Sequence, residues 1–122
     1  MAFVEDFNFY SSATVSAAGT TYSDATDVSR HLELLVFLRV TAQGTYTDET
    51  LDITMQTKDR AGNWHDLTDV DFTQVGDVTG SVPYAEYLPV IGFGSQIRFK
   101  IVAAGTDVDY TFNIDGYGKG VR

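Results

Sequence analysis

The chain has 122 residues, a formal net charge of −9 and no cysteine. Its length suits a single domain with its own hydrophobic core, and the lack of cysteine excludes disulfides, thiol nucleophiles and Cys-based zinc sites. The acidic balance disfavours a nucleic-acid partner, and the sequence has neither a membrane-length apolar run nor a secretory-signal pattern, so we expect no membrane partner.

The first eleven residues are predicted to form an aromatic N-terminal arm that contains Phe3, Phe7, Phe9 and Tyr10. Phe3, Phe7 and Tyr10 share a face in a helix, whereas Phe7 and Phe9 share a face in a strand, and both alternatives stay open. Aromatic side chains of this kind rarely stay exposed. We therefore expect the arm to pack on its own domain or on a neighbouring molecule.

A polar region of short extended pieces separates the arm from the most apolar segment. It contains predicted strands at Ser12–Ala17 and Thr21–Ser23, followed by residues 24–30, a loop or single helical turn. His31–Ala42 is then a predicted strand whose core face carries Leu34, Val36, Leu38 and Val40. Leu35 and Phe37 lie on its opposite face. A strand that is apolar on both faces is typical of a two-layer core or of a subunit interface.

The segment Leu51–Leu67 has the pattern of a β-hairpin. Leu51, Ile53 and Met55 alternate with polar residues, and residues 58–63 contain the Asp, Gly and Asn that tight turns favour. Trp64, the only tryptophan, follows the turn. We predict that its side chain closes one end of the core.

The second half of the chain repeats this alternation. Predicted strands lie at Asp71–Val75, Ser81–Leu88, Gln96–Ala104 and Val108–Tyr117. Pro83 makes Ser81–Leu88 an edge segment, because proline cannot donate to a strand ladder. The last two strands are predicted to form a hairpin in which Arg98 and Lys100 face Asp109 or Asp115.

Seven to eight short strands without a long helix predict an all-β antiparallel β-sandwich that is jelly-roll-like. The sandwich is expected to occupy residues 12–117, after the arm at 1–11 and before a short flexible tail at 118–122.

No residue pattern predicts an enzyme, a metal site or a cofactor. His65 lies next to Asp66, but no nucleophile motif accompanies them, so a surface histidine is the better interpretation. The acidic groups Asp66, Asp69 and Asp71, and Asp107 and Asp109, offer oxygen ligands for calcium, although their spacing does not match an EF-hand. A glycan platform of Trp64, Tyr84 and Tyr87 is an alternative to structural roles for these aromatic residues.

The order of several segments resembles small structural proteins of tailed bacteriophages. LDITMQTKDRAGNWHDL is similar to their alternating strand and Trp-containing hairpin. DFTQVG and IGFGSQIRFKIVAAGTDVDYTFNIDGYGK are similar to the segments that follow. These pieces lie between Leu34 and Lys119 when the apolar strand is included.

The resemblance implies a non-enzymatic virion component, most plausibly a capsid decoration (cement) protein. Its implied partners are the major capsid protein and further copies of itself, with a trimer favoured, and its implied location is the capsid surface after synthesis in the host cytoplasm. The predicted interface consists of Phe3, Phe7, Phe9, Tyr10, Leu35 and Phe37. A carbohydrate- or receptor-binding module of a head fibre or tail is the alternative function.

Overall fold

The structure is a computed structural model that describes residues 4–120. These residues form nine β-strands and no helix. The strands are β1 (Val4–Val15), β2 (Gly19–Tyr22), β3 (Thr26–Asp27), β4 (Glu33–Gln43), β5 (Thr50–Lys58), β6 (Trp64–Asp71), β7 (Tyr84–Val90), β8 (Gln96–Ala104) and β9 (Tyr110–Lys119).

The strands make two antiparallel sheets. One has the order β1-β9-β4-β7, and the other has the order β2-β8-β5-β6 with β3 also paired to β8. Since β2 and β3 occupy consecutive parts of one strand position beside β8, the sandwich has eight strand positions. Only β5 and β6 are consecutive strands paired as a hairpin. The chain stays beside β8 from β2 to β3, and every other connection between the described strands crosses from one sheet to the other. This arrangement confirms the predicted jelly-roll-like sandwich.

The core fills the space between the two sheets. Leu34, Val36, Leu38 and Val40 of β4 are fully buried, which confirms the predicted inner face. Their main counterparts in the opposite sheet are Leu51, Ile53, Met55, Ile97, Phe99 and Ile101. Burying each such side chain contributes roughly 1.5–3 kcal/mol before the entropy of ordering is counted.

The predicted pairing between the last two strands is wrong. β8 and β9 belong to different sheets, because the connection at residues 105–109 crosses the end of the sandwich. Lys100 instead pairs with Asp66 of β6, at 2.9 Å between Nζ and Oδ2. Arg98 donates from Nε to Oε1 of Gln56 at 2.7 Å.

Phe7, Phe9 and Tyr10 belong to a strand and not to a helix. β1 begins at Val4, so the predicted boundary between arm and domain falls within it. Its pairing with β9 shifts between Asn8 and Tyr10 and again between Tyr10 and Ala13. Each irregularity changes which side chains face inward, and Phe9 and Tyr10 therefore both pack toward the core. Phe3 lies outside the described residues.

Two further predictions need correction at the strand ends. Trp64 is absent from the core, because its pairing with Lys58 turns it toward the outer face of the second sheet. Gly118 and Lys119 of the predicted tail continue β9 and pair with β1 and β4. The remaining tail residues, 121–122, lie outside the described part of the chain.

Candidate functional site: the outer face of the β1-β9-β4-β7 sheet

The outer face of the β1-β9-β4-β7 sheet carries the side chains that point away from the core of the sandwich. Along β4, Leu35, Phe37 and Arg39 alternate with the buried core residues and therefore point outward. In the neighbouring β9, Tyr117 lies beside Leu35 and Asp115 lies beside Phe37. Strand alternation thus assembles one surface from segments far apart in the sequence.

Half of this face is apolar. Tyr87 of β7 lies opposite Phe37, with ring centroids 6.0 Å apart, and is 62% exposed. Tyr117 makes an edge contact with Phe37, also at 6.0 Å, and is 41% exposed. We call Leu35, Phe37, Tyr87 and Tyr117 the aromatic patch. Leu35 and Phe37 are half-buried, and Tyr87 and Tyr117 extend the same surface with exposed rings. Contiguous accessible apolar side chains mark interaction surfaces more often than isolated ones do.

The other half is a polar depression of about 680 Å³ between β1, β9 and β4. Its lining combines the aromatic residues Phe7, Phe37 and Tyr117 and the backbone of Gly116 with six polar residues: Asp6, Asn8, Ser12, Arg39, Asn113 and Asp115. Asn113 donates from Nδ2 to Oδ2 of Asp115 at 3.1 Å, which orients both side chains.

The exposed guanidinium of Arg39 has no ion-pair or hydrogen-bond partner within residues 4–120. Its five N–H donors are therefore available to a ligand or to water.

A hydrogen bond between Glu5 and the buried His31 holds the start of β1 on this sheet. His31 is fully buried, and its Nε2 lies 2.7 Å from Oε1 of Glu5. Its Nδ1 is 3.3 Å from the carbonyl oxygen of Gly120, and Phe7 packs edge-on against the ring. Sequence reasoning missed this contact, because Glu5, His31 and Gly120 are brought together only by the sheet.

The five described residues of the predicted interface do not share one surface, and the sixth, Phe3, lies outside the described residues. Phe9 is a core residue that contacts Phe99 of the opposite sheet, at 5.4 Å between ring centroids. Phe7 and Tyr10 are partly buried against the core. Leu35 and Phe37 do lie together, on the outer face. Tyr87 was predicted only for the alternative glycan platform, and Tyr117 and the polar depression were missed, although outward alternation in β7 and β9 is a signal that points to them.

The three residues of the alternative glycan platform lie apart. Trp64 is in the second sheet, whereas Tyr84 and Tyr87 are in β7 of the first sheet. Tyr84 packs against the core and Tyr87 points outward. Trp64 instead forms a stack with Tyr22, in which the guanidinium of Arg98 lies 4.5 Å from the Trp64 centroid and 4.0 Å from the Tyr22 centroid. This contact stabilises the outer surface of the second sheet.

The second histidine makes a local surface contact. His65 is exposed, and its Nε2 lies 2.8 Å from Oδ2 of Asp59. This hydrogen bond, together with the backbone N–H groups of Asn63 and Ala61, lowers the pKa of Asp59 to about 2. The contact fixes the β5–β6 turn.

The acidic loops also form a structural contact. The carboxylate of Glu49 accepts backbone hydrogen bonds from Asp107, Thr47 and Asp48, at 3.0, 2.7 and 3.2 Å. These donors lower the pKa of Glu49 to about 2. Among residues 4–120, no three or more His, Cys, Asp or Glu side chains come together in an arrangement that could hold a metal ion. That part of the chain also contains no helix long and apolar enough to cross a membrane.

The strand order defines the chain as a jelly-roll β-sandwich, and similar solved structures come from viruses and a prophage. No protein-family model matches the sequence, and no curated protein matches it significantly. The VP2 subviral particle of infectious bursal disease virus aligns with a TM-score of 0.68 at 13% identity, over 98% of this chain and 33% of that chain. The structure of the Gt strain of that virus gives a TM-score of 0.63 at 12% identity, over 97% of this chain and 32% of that chain.

A protein of matching length is similar as well. The SPBc2 prophage-derived protein YomS aligns with a TM-score of 0.57 at 16% identity, over 98% of this chain and 96% of that chain. By contrast, the present chain spans about a third of the two viral chains. At these identities the likeness establishes the fold alone.

Proposed function

We propose that this protein is a non-enzymatic structural component of a tailed-phage virion, a decoration protein that binds the capsid exterior. Two structural neighbours support a virion role: VP2, which forms a subviral particle, and a prophage-derived protein of nearly the same length. The resemblance of the hairpin and C-terminal segments to small phage structural proteins supports the narrower role on a capsid.

The observation that carries this proposal is the aromatic patch. A two-layer sandwich has no third layer to cover Leu35 and Phe37, and the exposed ring of Tyr87 extends the same apolar surface toward the sheet edge. Burial of such rings against a partner supplies most of the binding free energy in many protein interfaces. The proposed partner of the patch is the major capsid protein.

Further copies of this chain are proposed to occupy neighbouring positions on the shell, with a trimer as the favoured assembly. Because any ligand that binds only the folded capsid lattice stabilises it by mass action, such a layer would raise the stability of the particle. Its location would be the capsid surface, after synthesis in the host cytoplasm.

Replacement of Tyr87 by Ser tests the proposal. Wild-type protein should cosediment saturably with tailed-phage capsids assembled without it, and Tyr87→Ser should weaken that binding by tenfold or more, since a buried interface ring contributes about 2 kcal/mol. Tyr46→Ser is the matched control, because Tyr46 is an exposed tyrosine in the β4–β5 loop. Failure of the wild-type protein to bind any such capsid, or equal binding by both variants, would contradict the proposal.

A further inference from the structure

The polar depression differs from the neighbouring aromatic patch because it contains hydrogen-bond donors and acceptors. Two carboxylates, Asp6 and Asp115, can accept hydrogen bonds, while Arg39, Asn8 and Asn113 carry N–H donors. Donors and acceptors therefore occur together in one concave surface. This composition favours a ligand with many groups that both donate and accept, which is the property of hydroxyls.

The charges in the depression limit the ligand further. One guanidinium against two carboxylates gives a net charge of −1, in a chain whose total is −9. A polyanion such as nucleic acid is repelled by this field. Arg39 nevertheless has no ion-pair or hydrogen-bond partner among residues 4–120, so its planar donors can meet ligand oxygens without first breaking a contact.

Aromatic rings line the depression beside the polar groups. Phe37 and Tyr117 contact each other with their rings at 87°, and both line the depression. The negative π-face of an aromatic ring attracts weakly positive C–H groups. A ligand that combines hydroxyls with a C–H surface fits these two kinds of wall.

We infer that the polar depression binds a neutral saccharide, with the hydroxyls on Arg39, Asn113 and Asp115 and a C–H face of the sugar on Phe37 or Tyr117. Its volume, about 680 Å³, lies within the range of small-molecule sites. The site adds a binding activity to the proposed docking role. It shares Phe37 and Tyr117 with the aromatic patch, whereas Tyr87 does not line it. An open site of this kind binds weakly, with a Kd on the order of 1 mM.

Saturation-transfer NMR on the whole protein tests this inference. The probes are the methyl glycosides of glucose, galactose, mannose and N-acetylglucosamine, each at up to about 10 mM, roughly ten times the expected Kd. At least one glycoside should receive saturation from the wild-type protein. Asp115→Ala and Arg39→Gln should each reduce its affinity about tenfold or more, because each removes a charge-assisted hydrogen bond.

Tyr87→Ser separates this site from capsid docking, because it changes the aromatic patch and leaves the lining of the depression intact. It should retain saccharide binding, just as Asp115→Ala should retain capsid binding. Absence of saturation transfer for all four glycosides, or affinity unchanged in both Asp115→Ala and Arg39→Gln, would overturn the inference. Since both substituted side chains lie outside the core, an unchanged melting temperature confirms that each variant is folded.

Discussion

Replacement of Gly118 by Ala should destabilise the protein through His31. Gly118 lies on the inward face of β9, and an added Cβ would stand 2.5, 2.6 and 2.7 Å from three atoms of the His31 ring. The ring has little room to move, because Glu5 and the carbonyl group of Gly120 hold its two nitrogens and the whole side chain is buried. The methyl group can therefore enter only if the ring is displaced.

The cost of this displacement has two parts. Overpacking a well-packed site costs about 1–3 kcal/mol, and breaking a hydrogen bond to a buried group adds about 1–3 kcal/mol. We expect Gly118→Ala to lower the free energy of unfolding by about 2–6 kcal/mol. For a domain of this size that corresponds to a decrease in Tm of roughly 8–24 °C.

Urea and thermal unfolding of a double-mutant cycle measure the effect. His31→Ala removes the obstructing ring, so the double variant should be less destabilised than the sum of the two single variants, by about 1–3 kcal/mol. Gly80→Ala is the control, because no heavy atom lies within 4 Å of a Cβ at Gly80. Additive effects of the two substitutions, or a loss in Gly118→Ala no larger than in Gly80→Ala, would refute the reasoning.

Two more predictions concern the loops and the second sheet. The pKa of Glu49 and that of Asp59 are both lowered to about 2, so each carboxylate contributes stability that is present above its unfolded pKa. This contribution is lost as the pH falls through about 2, from 4.5 for Glu49 and from 3.8 for Asp59. At pH 7, Glu49→Gln should have a lower Tm than the wild-type protein. Between pH 7 and pH 3, its Tm should fall by less than the Tm of the wild-type protein. Trp64→Ala should cost about 1 kcal/mol, compared with 2–5 kcal/mol for Leu38→Ala, in urea unfolding. A loss for Trp64→Ala that equals the loss for Leu38→Ala would contradict its surface position.

The sequence predicts which side chains of a single strand share a face. It does not predict which face the side chains of the next strand occupy after a turn. Leu51, Ile53 and Met55 are buried as predicted, because strand period alone determines their side. The orientation of Trp64 depends on the register of the returning strand. The backbone hydrogen bond from the N–H of Asp59 to the carbonyl oxygen of Asn63 fixes that register, in which Trp64 pairs with Lys58. These turn residues are compatible with loops of different length. A change of one residue in the length of the loop would place Trp64 on the opposite face of the sheet.

The ambiguity of the N-terminal aromatic residues has a physical cause as well. A regular strand places Phe9 and Tyr10 on opposite faces, and a helix groups Phe7 with Tyr10. The irregular register of β1 lets both Phe9 and Tyr10 pack inward, so neither simple period describes the segment. Irregularities of this kind depend on the partner strand, β9, which lies about a hundred residues away and cannot be identified from local pattern.

The structure separates the two apolar faces of β4. Its inner face meets the opposite sheet, which accounts for Leu38 and its buried neighbours. Its outer face carries Leu35 and Phe37, and no element among residues 4–120 forms a third layer above them. Core packing therefore explains half of this strand and leaves the other half without a structural reason inside the domain. Because apolar side chains left accessible to water reduce solubility unless a partner covers them, the half-buried Leu35 and Phe37 are the strongest argument for assembly with other proteins.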